Sequence, residues 1–334
     1  MEKKLFQSTK SRYFINILAI ALLFALISLL IEGKVLNRYQ ANLLIPVCYN
    51  IILVVSLNLA AGFLGQLPLG HAGFMAVGAY TAAIFTKAVD LPAPLEFTIA
   101  IILAALMAGI FGVLIGLPAL RLRGDYLAII TLGFGEIIRV IVVNLKITGG
   151  SFGLSGIQGH TNYIWAFVIM VISVYIVVAL IRSRHGRAIL SIRENEIAAE
   201  SCGIHTTYYK TLGFAVAAAL AGVAGALYAH YLKILDPSNF GFMKSCELLV
   251  MVVLGGMGSV IGSVISATGL TLLPELLRGF ESYRMIVYSL LLVIVMIFKP
   301  SGLMGTYDFS LGGTIDAFCA KIRTRLQRKG AKRK

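Results

Sequence analysis

Runs of apolar residues separated by short polar gaps recur along this chain from residue 13 to residue 298. Their length suits helices that cross a hydrocarbon layer of about 30 Å, which takes about 20 residues. Eight such runs stand near residues 13–31, 43–61, 74–87, 96–117, 126–145, 163–181, 212–231 and 285–298. They predict an all-α polytopic integral membrane protein with about eight full spans. The first run follows a basic start, as a signal peptide does, but it is longer than a typical apolar signal core and lacks a small-residue cleavage site. It is expected to be an uncleaved span.

One apolar block, residues 247–273, does not fit a simple crossing. Its middle reads Gly255-Gly256-Met257-Gly258-Ser259, then Gly262, and glycines at that density weaken a continuous helix. Two half-helices, 247–254 and 260–273, are expected instead, as a re-entrant pair or as two short crossings. A second break runs from Gly62 through Gly65, Gln66, Pro68 and Gly70 to His71 and Gly73. Gly62 and Gly65 are spaced like Gly255 and Gly258, with Gln66 answering Ser259, which is the pattern of an internal repeat. Transporters built from repeats place glycine-broken helices in corresponding positions around the substrate path. Gly62, Gly65, Gln66, His71, Gly255 and Gly258 are therefore candidates for a translocation path. The alternative is that these glycines only let helices pack closely.

Composition agrees with the membrane reading: 58% of the 334 residues are hydrophobic and 13% charged, with mean hydropathy +0.89. Soluble domains carry about 25% charged residues. The net charge of +14 is unevenly placed. Residues 299–334 hold nine Lys/Arg and two Asp, half of that total. Other basic clusters are the N-terminus (Lys3, Lys4, Lys10, Arg12) and the 182–210 segment (Arg182, Arg184, Arg187, Arg193, Lys210). Lys/Arg beside spans mark the cytoplasmic face, so both termini and the 182–210 loop are expected there. An even number of crossings satisfies this, which a single crossing by 247–273 would not. The organisation expected is a basic cytoplasmic segment 1–12, a membrane domain 13–305, and a basic cytoplasmic tail 306–334 lying near anionic lipid rather than nucleic acid. Four scattered cysteines, Cys48, Cys202, Cys246 and Cys319, show neither disulfide nor zinc spacing.

Ionisable residues inside spans need a reason, because lipid makes them costly. Glu136 and Arg139, three apart, share a helix face and are expected to pair, with direct substrate contact as the alternative. His71 reads as a hydrogen-bonded member of its break or as a proton relay. Glu247 reads as a cap or a water-facing residue at the mouth of a half-helix. No nucleotide-binding, metalloprotease or nucleophile-elbow motif is present, so no catalytic residue, metal or cofactor is expected, and any ATP would be hydrolysed by other chains. The 182–210 loop is the longest polar stretch between spans. Within it Glu196-Ile197-Ala198-Ala199 leads to Gly203, a short helix ended where a left-handed cap is wanted. Docking to a partner and a plain solvated connector are the two readings.

The Glu196, Ala198, Ala199, Gly203 pattern resembles the Glu-Ala-Ala-x-x-x-Gly coupling loop of ATP-binding-cassette importer permeases, with Ile197 where that motif has its Glu. Longer strings are similar to the LivM type of branched-chain amino acid permeases: Leu57 to Gly62, Gly65 to Leu67, Gly70 to Phe74, Gly78 to Thr81, Leu120 to Ile129, Thr131 to Arg139, and Thr148 to Gly150. The likeness runs from about Val35 to Gly305. It implies a second homologous permease, two cytoplasmic ATPases and a periplasmic binding protein that delivers Leu, Ile or Val. Without it, an ion-coupled secondary transporter using Glu136, His71 and the half-helices is the rival. A related importer for another substrate is the nearer one.

Overall fold

A computed structural model describes residues 38–89, 91–122, 124–277 and 283–299, together with residues 33, 279 and 302–305. The first expected span and the two terminal segments, 1–12 and 306–334, lie outside the described residues. Residues 42–306 form one compact unit, and residues 1–41 with 307–334 are assigned to another.

The described residues are almost all helical. α1 (Arg38–Asn58) passes through a single π-turn (Leu59–Phe63) and stops. α2 (His71–Ala88), α3 (Ala93–Ala119), α4 (Asp125–Asn144) and α5 (Tyr163–Arg182) follow. Two short helices, α6 (Arg184–Glu194) and α7 (Glu196–Ser201), lead into α8 (Thr206–Leu232). Last come α9 (Phe242–Gly255), α10 (Val260–Leu276) and α11 (Arg284–Phe298). Two two-residue strands, β1 (Leu154–Ser155) and β2 (Ile234–Leu235), pair antiparallel.

Contacts at the two ends of the helices fix their directions. At one end the π-turn, the α6 end, the α8 start and the α9–α10 break meet: Gly213 faces Ile189 and Leu64, and Leu303 N–H bonds Leu254 O at 2.7 Å. At the other end lie the α2 end, the α3 start, β1 and β2. There Lys87 Nζ donates to the Ser155 carbonyl at 2.9 Å. The helices therefore alternate in direction, and the 182–210 segment and the 302–305 segment share the first, or loop, end.

α8 is the centre. Its small residues face α2 and α3 so closely that a Cβ on Gly78 would overlap the Gly222 backbone, and Ala82, Ala100, Ala104 and Ala226 form a fully buried cluster beside it. Close approach of backbones, rather than large apolar side chains, is how helices gain contact where lipid competes for apolar surface. α3, α4 and α5 instead expose apolar stripes such as Ile102, Leu106, Ile110 and Leu114, spaced four apart to face lipid or another subunit.

Among the described residues five helices are long and apolar enough to cross a membrane, beginning at Tyr39, Ala93, Asp125, Tyr163 and Thr206. The runs at 74–87 and 285–298 form α2 and α11 but are not among the five. α2 is sheathed by protein on nearly all sides, so it can be rich in Ala, Gly and Thr. α11, at 15 residues, rises only about 22 Å. Three expected boundaries shift. The first half-helix starts at Phe242, not 247, and Glu247 sits in its second turn against Lys244 at 3.0 Å. α8 starts at Thr206, with Lys210 buried rather than exposed in a loop. The helix expected around 192–202 is divided at Asn195, whose side chain turns back to accept from Ala198 N–H.

Candidate functional site

The two glycine-rich breaks meet at the loop end, and Asn58 joins them. This side chain, fully buried at the α1 terminus, donates to Ser259 O at 2.9 Å and Ser263 Oγ at 2.7 Å. It also accepts from Gly258 N–H at 2.9 Å. Irregular backbone deep in a membrane protein persists only where such groups are satisfied. The break's other loose carbonyls, Leu254 O and Gly255 O, accept from Leu303 and Met304 N–H, and Ser259 Oγ caps α10 through Gly262 N–H. Gly62 is required because any Cβ would overlap Asn58 Oδ1 and Gly258 N. Gly65 and Gly258 both take left-handed φ values, +73° and +89°.

Of the residues singled out from the sequence, Gly62, Gly65 and Gly258 come together around Asn58. Gln66 stands beside them and donates its backbone N–H to Ala60 O at 2.9 Å. Gly255 lies at the α9–α10 crossing, against Gly262 and Ser266. His71 is apart, buried, sharing a 2.8 Å hydrogen bond with Ser56 Oγ.

A second meeting point lies nearer the middle of the helices. The start of α2 docks on α4, with Leu69 N–H on Thr131 Oγ1 at 3.1 Å, and Ala72 N–H is capped by buried Ser245 Oγ of α9 at 3.1 Å. Glu136 sits at the start of α9: one oxygen accepts from Phe242 N–H at 3.3 Å, the other from Arg139 Nε at 2.6 Å. The crevice between these elements has a volume of about 10 Å³, too small for anything beyond one water. The side chains of Arg139 and Glu136 remain 36% and 34% exposed. A half-open ion pair on a helix of this hydropathy is costly against lipid. Neutralising either partner should therefore lower folded yield in detergent by about tenfold or more, from a cost of about 2.5–3.5 kcal/mol, while exchanging the two should restore part of it. Size-exclusion profiles of Glu136→Gln, Arg139→Gln and the exchange variant check this. Normal yield with lost uptake in both single variants would give the pair a direct transport role.

The 182–210 segment is ordered throughout. Glu196 Oε1 accepts from buried Lys210 Nζ at 2.6 Å, and Glu200 Oε1 accepts from Thr206 Oγ1 at 2.7 Å, so α7 is fixed to the first turn of α8. Gly203, at φ +81°, lets Ile204 N–H return to Ala199 O at 3.1 Å. Ala199 faces inward and is buried, whereas Ala198 is exposed and Ile197 is 68% exposed. An open groove of about 330 Å³ runs beside it, lined by Glu200, Gly203 and Ile204 among others.

Residues 39–298, from α1 to the end of α11, match the model of the family described as branched-chain amino acid transport system / permease component. The chain belongs to this family. The LivM permease protein of a high-affinity branched-chain amino acid transport system from Salmonella typhimurium is 38% identical over 289 residues, covering 76% of this chain and 67% of that protein. A probable LivM from Methanocaldococcus jannaschii is 25% identical over 234 residues, 62% of this chain and 67% of that one. The LivH permease protein of Escherichia coli is 34% identical over 125 residues, 37% of this chain and 40% of that protein. No solved structure matches the chain. The permease match contains both breaks, the Glu136–Arg139 pair and the α6–α7 segment.

Two features of this permease escaped sequence reasoning. Asn58 lay inside a quoted string, but its partners are about 200 positions away and no local signal points to them. At the far end Glu96, almost wholly buried, lies 3.7 Å from His160 Nε2, and the His160 and His230 rings pack against Phe97. Glu96 opens an apolar helix just after Pro94, where an acid reads as an ordinary first-turn residue.

Proposed function

We propose that this chain is one of two related permeases of an ATP-binding-cassette importer that carries leucine, isoleucine and valine across the bacterial cytoplasmic membrane. Its partners are a second, homologous permease, two cytoplasmic ATPases that hydrolyse the ATP, and a periplasmic amino-acid-binding protein. Both termini and the 182–210 segment face the cytoplasm, and no nucleic acid is bound. The likeness to LivM supports the substrate class, and the likeness to LivH supports a second permease. The solute route runs past the Glu136–Arg139 face of α4, where a second permease covers the half-open ion pair, toward the junction of the two breaks.

The observation that carries this reading is α7. A six-residue helix between two spans, tied down by Glu196–Lys210 and Glu200–Thr206 and showing Ile197 outward, is built to transmit force from a partner. An ion-coupled transporter has no use for one. Proteoliposomes holding this chain with its second permease, ATPases and binding protein should accumulate labelled leucine when ATP is enclosed with the ATPases, and ionophores should leave that uptake intact. Uptake that needs an ion gradient and ignores ATP would overturn the reading.

A further inference from the structure

Arg193 sits in the last turn of α6, three residues before Glu196, and its side chain leaves the loop to lie along both helix breaks. The point where a Cβ of Gly65 would stand is 3.2 Å from Arg193 Cγ and 3.8 Å from its Cβ. The corresponding point at Gly258 is 3.0 Å from Arg193 Nη1 and 4.0 Å from Cζ. The stem thus covers the first break and the guanidinium reaches the second. Both glycines hold left-handed backbone and present no side chain, so the arginine lies directly on main chain at each. Beneath it, Asn58 fastens the same two breaks to each other through Gly258, Ser259 and Ser263.

We infer that Arg193 is a positioning residue that transmits displacement of the α6–α7 segment to the two glycine breaks, so that the breaks shift together and the loop end opens or closes as one unit. This rests on the reading of α7 as the ATPase-facing element and adds the physical link from it to the membrane core. Three properties suit arginine to the task. Its stem is long enough to span two breaks, its planar head can take several main-chain carbonyls, and it stays charged at every working pH. Asn195 separates α6 from α7 by a single residue, and its capping bond to Ala198 N–H makes the two helices move as a pair.

The test uses the whole complex in proteoliposomes and reads uptake per ATP hydrolysed. Arg193→Ala should keep subunit assembly and ATP hydrolysis near wild type while lowering uptake per ATP by about tenfold. Arg193→Met, which keeps the stem over Gly65 but has no head for Gly258, should be uncoupled to the same degree. Arg193→Lys, with charge and most of the reach, should retain about half of the coupling or more. If Arg193→Ala does not assemble, the Met and Lys variants carry the comparison. Unchanged uptake per ATP in the variants that assemble would overturn the inference, and so would a parallel fall of hydrolysis and uptake, which places Arg193 in docking alone. A wild-type complex with no ATP-dependent uptake would instead refute the importer reading, whatever the variants do.

Discussion

Asn58→Leu is expected to lower the stability of the folded permease by about 2–3 kcal/mol and to abolish transport. Of its three partners, Ser259 O keeps bonds from Ser263 N–H and Oγ, each at 3.1 Å, but Gly258 N–H loses the acceptor it has in a buried turn. An orphaned buried donor costs about 1–3 kcal/mol, and each remaining polar link between membrane helices adds about 0.6 kcal/mol. Such a loss shifts the folded-to-unfolded ratio roughly 30- to 150-fold. Thermal unfolding in detergent, followed by the yield of monodisperse protein, measures it. Gln66→Ala is the control, because the bond recorded for Gln66 runs through its backbone, and its effect should stay within about 0.5 kcal/mol. Equal stability of the two variants would show that Asn58 does not hold the breaks together.

At the loop, Gly203→Val and Ile197→Asp should each leave the membrane bundle folded and remove binding-protein-stimulated ATP hydrolysis, by about tenfold or more, with uptake falling in parallel. The causes differ. At Gly203 nothing lies within 4 Å of an added Cβ, so valine meets no clash; it is excluded by the left-handed φ of +81°, at roughly 1–2 kcal/mol and more for a β-branched residue. That cost undoes the return of Ile204 N–H to Ala199 and turns α7 away from its partner. Ile197→Asp leaves α7 in place and puts a charge on its outward apolar tip. Ala199 is not a useful probe of docking, since it is buried within the chain itself, and Ala199→Trp would displace α7 before any ATPase arrived. Wild-type stimulated hydrolysis in both variants would reduce the segment to a connector.

The course of the fold was readable because the membrane imposes a length and a polarity on each helix. The apolar runs after residue 43 fall on α1 to α5, α8 and α11, and glycine density located the divided helix between Gly255 and Val260. Boundaries slipped where polar residues found partners inside the protein. Lys210 looked like a loop cation, yet Glu196 lets it sit buried in α8. The α2 run looked like a lipid-crossing span, yet protein surrounds it. Glycine spacing also pointed to both breaks, though not to their meeting: Asn58 with Gly258, and Arg193 with Gly65 and Gly258, are pairings across 65 to 200 positions that only the packed chain defines. Ala198 and Ala199 read as one small-residue pair, and helix periodicity turns one outward and the other inward.

The central claim, that α7 is a cytoplasmic docking helix for an ATPase, is tested most directly by labelling Ile197→Cys in a variant without native cysteines. The thiol should react with a membrane-impermeant maleimide in inverted membrane vesicles, remain unreactive in right-side-out vesicles, and be protected by about fivefold or more when the ATPase partner is bound, a change of about 1 kcal/mol in access. Labelling from the periplasmic face, or cytoplasmic labelling that bound ATPase leaves unchanged, would contradict it.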